Sequence, residues 1–200
     1  NGQISLKTEG TRESAKLNGF FRTKNGIATL NGLNTTLYNG NLNLIFNGKN
    51  IIFDNTTGIV EGAKIRIDGK SSVEGNLDLY VKIFDVNADK ALNVVKSSPL
   101  VMNLLNGGTF LDAYTNPKGN IDFNMRLWGK ASEMGEIEDF SKLEPTDDMK
   151  AKGTITFKNN SIDIFPEIKA SKVNGTLDFE DFVTLKLNAD LYSSPFTMQG

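Results

Sequence analysis

The chain has 200 residues, with Lys+Arg 22 against Asp+Glu 24 for a formal charge of −2, and it contains neither His nor Cys. Without imidazole or thiol, Ser-His-Asp and Cys-His nucleophiles are excluded and a zinc site loses both of its usual ligands. The near-neutral balance leaves no overall basic footprint for nucleic acid or anionic headgroups, and an apolar fraction of 38% beside 19 Gly points to a turn-rich sheet.

Period-two alternation then recurs along the chain. Leu42, Leu44 and Phe46 alternate with Asn41, Asn43 and Asn47, and Ile65 and Ile67 repeat the pattern in brief. Leu77, Leu79 and Val81 interleave with Asp78, Tyr80 and Lys82. Between Asn87 and Gly108 the spacing of Leu92, Val95, Val101, Leu104 and Leu105 turns helical. Asn87 or Asp89 can cap that helix, Pro99 should divide it, and Gly107-Gly108 should stop it. Such a segment is expected to cover apolar sheet surface.

The clearest strand follows, with Ile121, Phe123, Met125 and Leu127 set against Asn120, Asp122, Asn124 and Arg126. From Gly129 to Gly153 the chain carries Glu133, Glu136, Glu138, Asp139, Glu144, Asp147 and Asp148 with few apolar residues, and reads as a solvated loop. It matches neither EF-hand spacing nor a rigid carboxylate pair for glycoside hydrolysis. Alternation returns at Ile155 and Phe157, Ile162 and Ile164, Leu177 and Phe179, and Leu185 and Leu187. Asn25-Gly26, Asn31-Gly32, Asn39-Gly40, Asn47-Gly48 and Asn174-Gly175 supply the positive φ of tight turns, which predicts hairpins and an antiparallel meander.

These patterns predict one elongated all-β segment over residues 1–200 with a single helical insertion. Its opening at Asn1-Gly2 and its close at Gly200 after a strand-like run read as a piece of a larger protein. Each strand has one apolar and one polar face, so a sheet of this length must close as a sandwich or barrel, wind as a solenoid, or bend into a trough. In a trough, Leu42, Leu44, Phe46, Leu77, Leu79, Val81, Ile121, Phe123, Met125, Leu127, Ile155, Phe157, Leu177, Phe179, Leu185 and Leu187 line an apolar track suited to acyl chains. No cofactor or metal is expected, and the composition predicts a non-enzyme. Trp128, the single Trp, is a weak candidate for a sugar platform and a better one for an edge or interface.

Thr35–Leu44 and Ala170–Phe179 share a strand, Asn-Gly, strand pattern that suggests an internal repeat. The runs Gly153–Ile164, Val173–Phe179, Leu187–Leu191 and Ser194–Gly200 resemble the AsmA-like superfamily of diderm envelope proteins, most of all its TamB group. The likeness covers about a third of the chain, with Pro117–Asn120 to Gly129 as a weaker match. It implies a curled sheet with an apolar inner face, in a parent anchored in the inner membrane and reaching across the periplasm. It further implies phospholipid movement between membranes, or help in assembling outer-membrane β-barrels by strand pairing. A surface β-solenoid of adhesin type is the remaining reading.

Overall fold

The computed structural model describes residues 2–11, 16–30, 34–72, 76–98, 112, 114–130, 149–164, 167–180 and 183–200. Eleven strands form one antiparallel sheet in strict chain order: β1 (Gly2–Glu9), β2 (Lys16–Leu30), β3 (Thr35–Gly48), β4 (Asn50–Val60), β5 (Ala63–Ser72), β6 (Asn76–Asn87), β7 (Tyr114–Lys130), β8 (Met149–Ile164), β9 (Ile168–Phe179), β10 (Val183–Leu191) and β11 (Ser194–Gln199). The meander is all-β apart from one helix, α1 (Ala88–Ser97), inserted after β6. Within this sheet β1 pairs with β2 alone and β11 with β10 alone, so it is an open, curled sheet and not a barrel. It also replaces the sandwich and solenoid alternatives, since a second sheet or stacked parallel coils are absent among the described strands.

The Asn-Gly pairs mostly do not make the turns that their sequence predicts. Asn25-Gly26 lies inside β2, Asn39-Gly40 inside β3 and Asn174-Gly175 inside β9, and Asn159-Asn160, whose sequence suggests the same kind of turn, lies inside β8. Only Asn47-Gly48 falls at a hairpin, where Asn47 faces Asn50 and Gly48 opens the two-residue turn. The β4–β5 and β10–β11 hairpins turn instead on Glu61-Gly62 and Tyr192-Ser193, all four with positive φ. Asn31-Gly32 lies outside the described residues.

Mid-strand positive φ at Asn25, Asn39, Asn55, Asp85, Asn116, Asn159 and Lys172 coincides with breaks in register, which identifies a line of β-bulges across the sheet. A bulge leaves one amide outside the ladder, and a buried or half-buried amide needs another acceptor. The neighbouring strand supplies it. Asn55 N–H donates to Asp68 Oδ1 (2.8 Å), Asp85 N–H to Asp122 Oδ1 (2.8 Å) and Asn159 N–H to Asn174 Oδ1 (2.8 Å).

Curvature also comes from inward-facing glycines. Gly69 (φ 134°) and Gly175 (φ 137°) hold a backbone conformation closed to L side chains, and a Cβ on either would overlap the carbonyl oxygen of Asp78 or Lys186 on the next strand. Each faces a Phe across the ladder, Phe53 and Phe157 respectively.

α1 ends at Ser97, just before Pro99, where the sequence predicts a break, and the second half of the helical pattern, residues 99–111, lies outside the described set. Asn87 is its N-cap, accepting from the amides of Asp89 (3.1 Å) and Lys90 (3.2 Å). Ala88 joins Ala63, Val86 and Ile121 in a buried cluster against which Ala91, Phe123, Ile155 and Phe157 pack. A second cluster of Leu37, Val60 and Ile65 adjoins it, with Ile83 packed against both. The acidic connection is shorter than its charge pattern implies. β7 runs to Lys130 and β8 starts at Met149, which pairs with Gly129, while 131–148 lie outside the described residues.

Candidate functional site

Directly opposed residues in an antiparallel ladder share a face, so the register fixes which side chains lie together. Across the middle of the sheet, Ile67, Val81, Met125 and Gly153 oppose one another in turn, as do Gly69, Leu79, Leu127 and Ala151. Ile83, Phe123, Ile155, Leu177 and Leu185 form another such row, and Phe157, Gly175, Leu187 and Met198 a further one. On the other side Phe21, Leu44 and Phe53 align, next to Gly19, Phe46 and Ile51.

Extending these rows by two residues along each strand puts every position of the apolar track on one face: Leu42, Leu44 and Phe46; Leu77, Leu79 and Val81; Ile121, Phe123, Met125 and Leu127; Ile155 and Phe157; Leu177 and Phe179; Leu185 and Leu187. The same face gains residues that alternation alone left out: Phe21, Ile51, Phe53, Ile83, Phe196 and Met198. Phe20-Phe21, Ile51-Ile52-Phe53 and Ile83-Phe84 are unbroken apolar runs, in which period two has no contrast.

Burial divides the track. Beneath α1 and around the bulge line Val86, Ile121, Ala63, Val60 and Leu37 are buried at 2–8% exposure. Ile121 is the one fully buried member of the predicted set; the others are half-buried. In a closed sandwich these side chains would be occluded by an opposing sheet. Here the sheet has no second layer among the described residues, and the apolar face keeps part of its surface open.

The opposite face is ionic. Arg126 forks onto Asp78 with Nε–Oδ1 2.8 Å and a second bond of 3.0 Å, and its guanidinium lowers the Asp78 carboxyl below the usual aspartate range. Arg66 does the same to Asp68 at 2.6 Å. Burial acts against ionisation of Asp122, but Lys158 at 2.7 Å and the Asp85 amide outweigh it and its pKa too is lowered. Asp190 at 2.7 Å raises the pKa of Lys172. Arg22 donates to Asn43 (2.9 Å), which donates to Asp54 (2.6 Å). Apart from Arg66–Asp68, which lies within β5, these pairs bridge adjacent strands, and all of them lie on the side away from the track.

No family model, curated protein or solved structure matches this chain. What the site can do therefore follows from its geometry. No group of three or more His, Cys, Asp or Glu is placed to hold a metal ion among the described residues. None of their helices is long and apolar enough to cross a membrane. The one-sided track offers hydrophobic contact along its length, and the buried polar side chains on that side, Thr56 and Asn160, are engaged with backbone groups, which suits a flexible apolar ligand that does not need fixed orientation.

Proposed function

We propose that this sheet is an apolar trough that binds phospholipid acyl chains, and that it serves their passage between the inner and outer membranes of a diderm envelope as part of a longer, membrane-anchored protein. The observation that carries this reading is the half-exposed track: a continuous apolar face on a sheet that no second layer covers among the described residues. Each buried methylene contributes about 0.8 kcal/mol without directional demands, so an acyl chain can be held and still slide. Headgroups remain in water at the open side. The resemblance of the Gly-bounded strands to the TamB group of AsmA-like proteins supports the same assignment.

A second reading uses the sheet edges. β1 and β11 are exposed along their whole length and each keeps one side of its ladder unpaired within this sheet. Such edges accept a further strand, and a client barrel strand could be templated there during outer-membrane assembly.

Native mass spectrometry on protein purified without detergent separates the two. Bound phospholipid that is lost from folded Leu187→Asp and Phe46→Asp variants supports the trough. A folded wild type that carries no lipid and takes up no fluorescent fatty acid rejects it and leaves edge pairing. Phe123→Asp is the control for folding, because Phe123 packs on the buried cluster.

A further inference from the structure

On the outer face, opposite the track, cations and aromatic rings gather at the end of the sheet away from α1. Period two places Arg126, Trp128 and Lys130 together on β7, and the register sets Lys150 opposite Trp128, Lys152 opposite Arg126, and Lys70 opposite Asp78. The Arg126 guanidinium carbon lies 5.1 Å from the Trp128 ring centre and 5.4 Å from that of Tyr80, and Lys152 Nζ is 5.8 Å from Trp128. Asp78 holds Arg126, and Glu180 holds Lys152 at 3.0 Å. Among the described residues Lys70, Arg126, Lys150 and Lys152 against Asp78 and Glu180, four cations less two acids, leave a formal excess of two in a chain whose total is −2. Asp68, opposite Tyr80, is engaged by Arg66. Whole-chain charge conceals this segregation.

We infer that this patch docks the sheet on an anionic phospholipid surface. A simple polyanion site needs only the cations, whereas here the single Trp and the exposed Tyr80 stand among them, the combination that settles at a membrane interface. Leu77, which belongs to the inner track, shares a shallow cleft with Trp128, Arg126 and Lys130, so a bilayer held by the patch would meet the end of the track. The inference concerns the outer face and stands or falls independently of whether the track carries lipid.

The test uses Trp128 as its own reporter, since no other Trp contributes emission. Vesicles of phosphatidylcholine containing phosphatidylglycerol should shift its emission to the blue and sediment the protein, with both effects reversed by salt. Phosphatidylcholine alone should do neither. Each cation near an anionic surface is worth about fivefold in partitioning, so Lys150→Glu/Lys152→Glu should weaken binding at least about 25-fold with the fold intact by circular dichroism. Leu187→Asp, on the inner face, should dock normally.

Equal binding to neutral vesicles, no binding by the wild type, or an unchanged double variant overturns the inference. So does a wild type that fails to bind while Asp147→Asn/Asp148→Asn binds, because the acidic β7–β8 connection would then be the patch's occupant.

Discussion

Gly153 on β8 faces Phe179 on β9 so closely that a Cβ on the glycine would stand 3.0 Å from Phe179 Cζ and overlap the carbonyl oxygen of Asn124 on β7. The glycine is thus the space into which a ring of the apolar track folds, and it lets three strands approach at the bend. Gly153→Val should cost about 1–3 kcal/mol by overpacking, or roughly 2–12 °C in a chain of this length. Thermal melts of the variant alone and with Phe179→Ala provide the check. The second substitution removes the clash with the ring but not that with the backbone, so it should restore only part of the loss.

The bulges predict a specific acid sensitivity. Asp68 is lowered by Arg66 and by the Asn55 amide, and Asp122 by Lys158 and the Asp85 amide against the opposing effect of burial. A folded-state pKa below the unfolded value of about 3.9 contributes stability that is present above that value and is lost as pH falls through the lowered one. Denaturant midpoints should therefore be level above about pH 5 and fall below about pH 4. Asp68→Asn keeps an acceptor for the Asn55 amide but removes the titrating charge. It should flatten part of the acid limb while lowering the plateau, and parallel curves for the two proteins would refute the linkage.

Much of this fold was legible because period two survives in strands such as Ile121 to Leu127, where polar and apolar residues alternate without a break. The one-sided track follows from that alternation, and the register then joins the separate runs. The bulges were not legible. A type I′ turn and a bulge both want Asn in the left-handed region, so Asn25-Gly26 and Asn39-Gly40 carry the same local signal in either role. What decides between them is whether the flanking residues pair with each other or with a neighbouring strand, and in β2 Thr23 and Ala28 pair with Leu42 and Leu37 of β3. The outer patch was hidden for a different reason: Arg126-x-Trp128-x-Lys130 and Lys150-x-Lys152 lie about twenty residues apart, and only the β7–β8 register makes them neighbours.

Asn87 sets the start of α1 and thereby the cover over the most buried part of the track. Its side chain satisfies two first-turn amides, and Asn87→Ala should cost about 0.5–2 kcal/mol. A ten-residue helix has little stability of its own, so the loss should be local. Hydrogen exchange should show faster exchange of α1 amides with those of β3 and β4 unchanged. Uniform acceleration across the sheet would mean that α1 and the sheet unfold as one unit.

Asn160 gives the sharpest test of the bulge line. It is 4% exposed on the track side of β8, accepts from Lys158 N–H at 2.6 Å and donates to the Lys118 carbonyl at 3.1 Å. Among apolar neighbours Val173 and Ala170, a hydrophobic replacement looks compatible with the packing. The accounting of polar groups says otherwise, because Asn160→Leu leaves the part-buried Lys158 N–H and Lys118 carbonyl without their partner, at up to about 1–3 kcal/mol each. Asn160→Leu should therefore destabilise the protein despite the gain in apolar area, and Asn160→Asp should do so too at neutral pH, since it keeps the acceptor for Lys158 but buries a charge and turns a carboxylate oxygen towards the Lys118 carbonyl. Midpoints of both variants below that of the wild type are expected from urea titration. A Leu variant as stable as the wild type would show that the bulge is held by strand pairing alone and that the side chain of Asn160 contributes nothing to it.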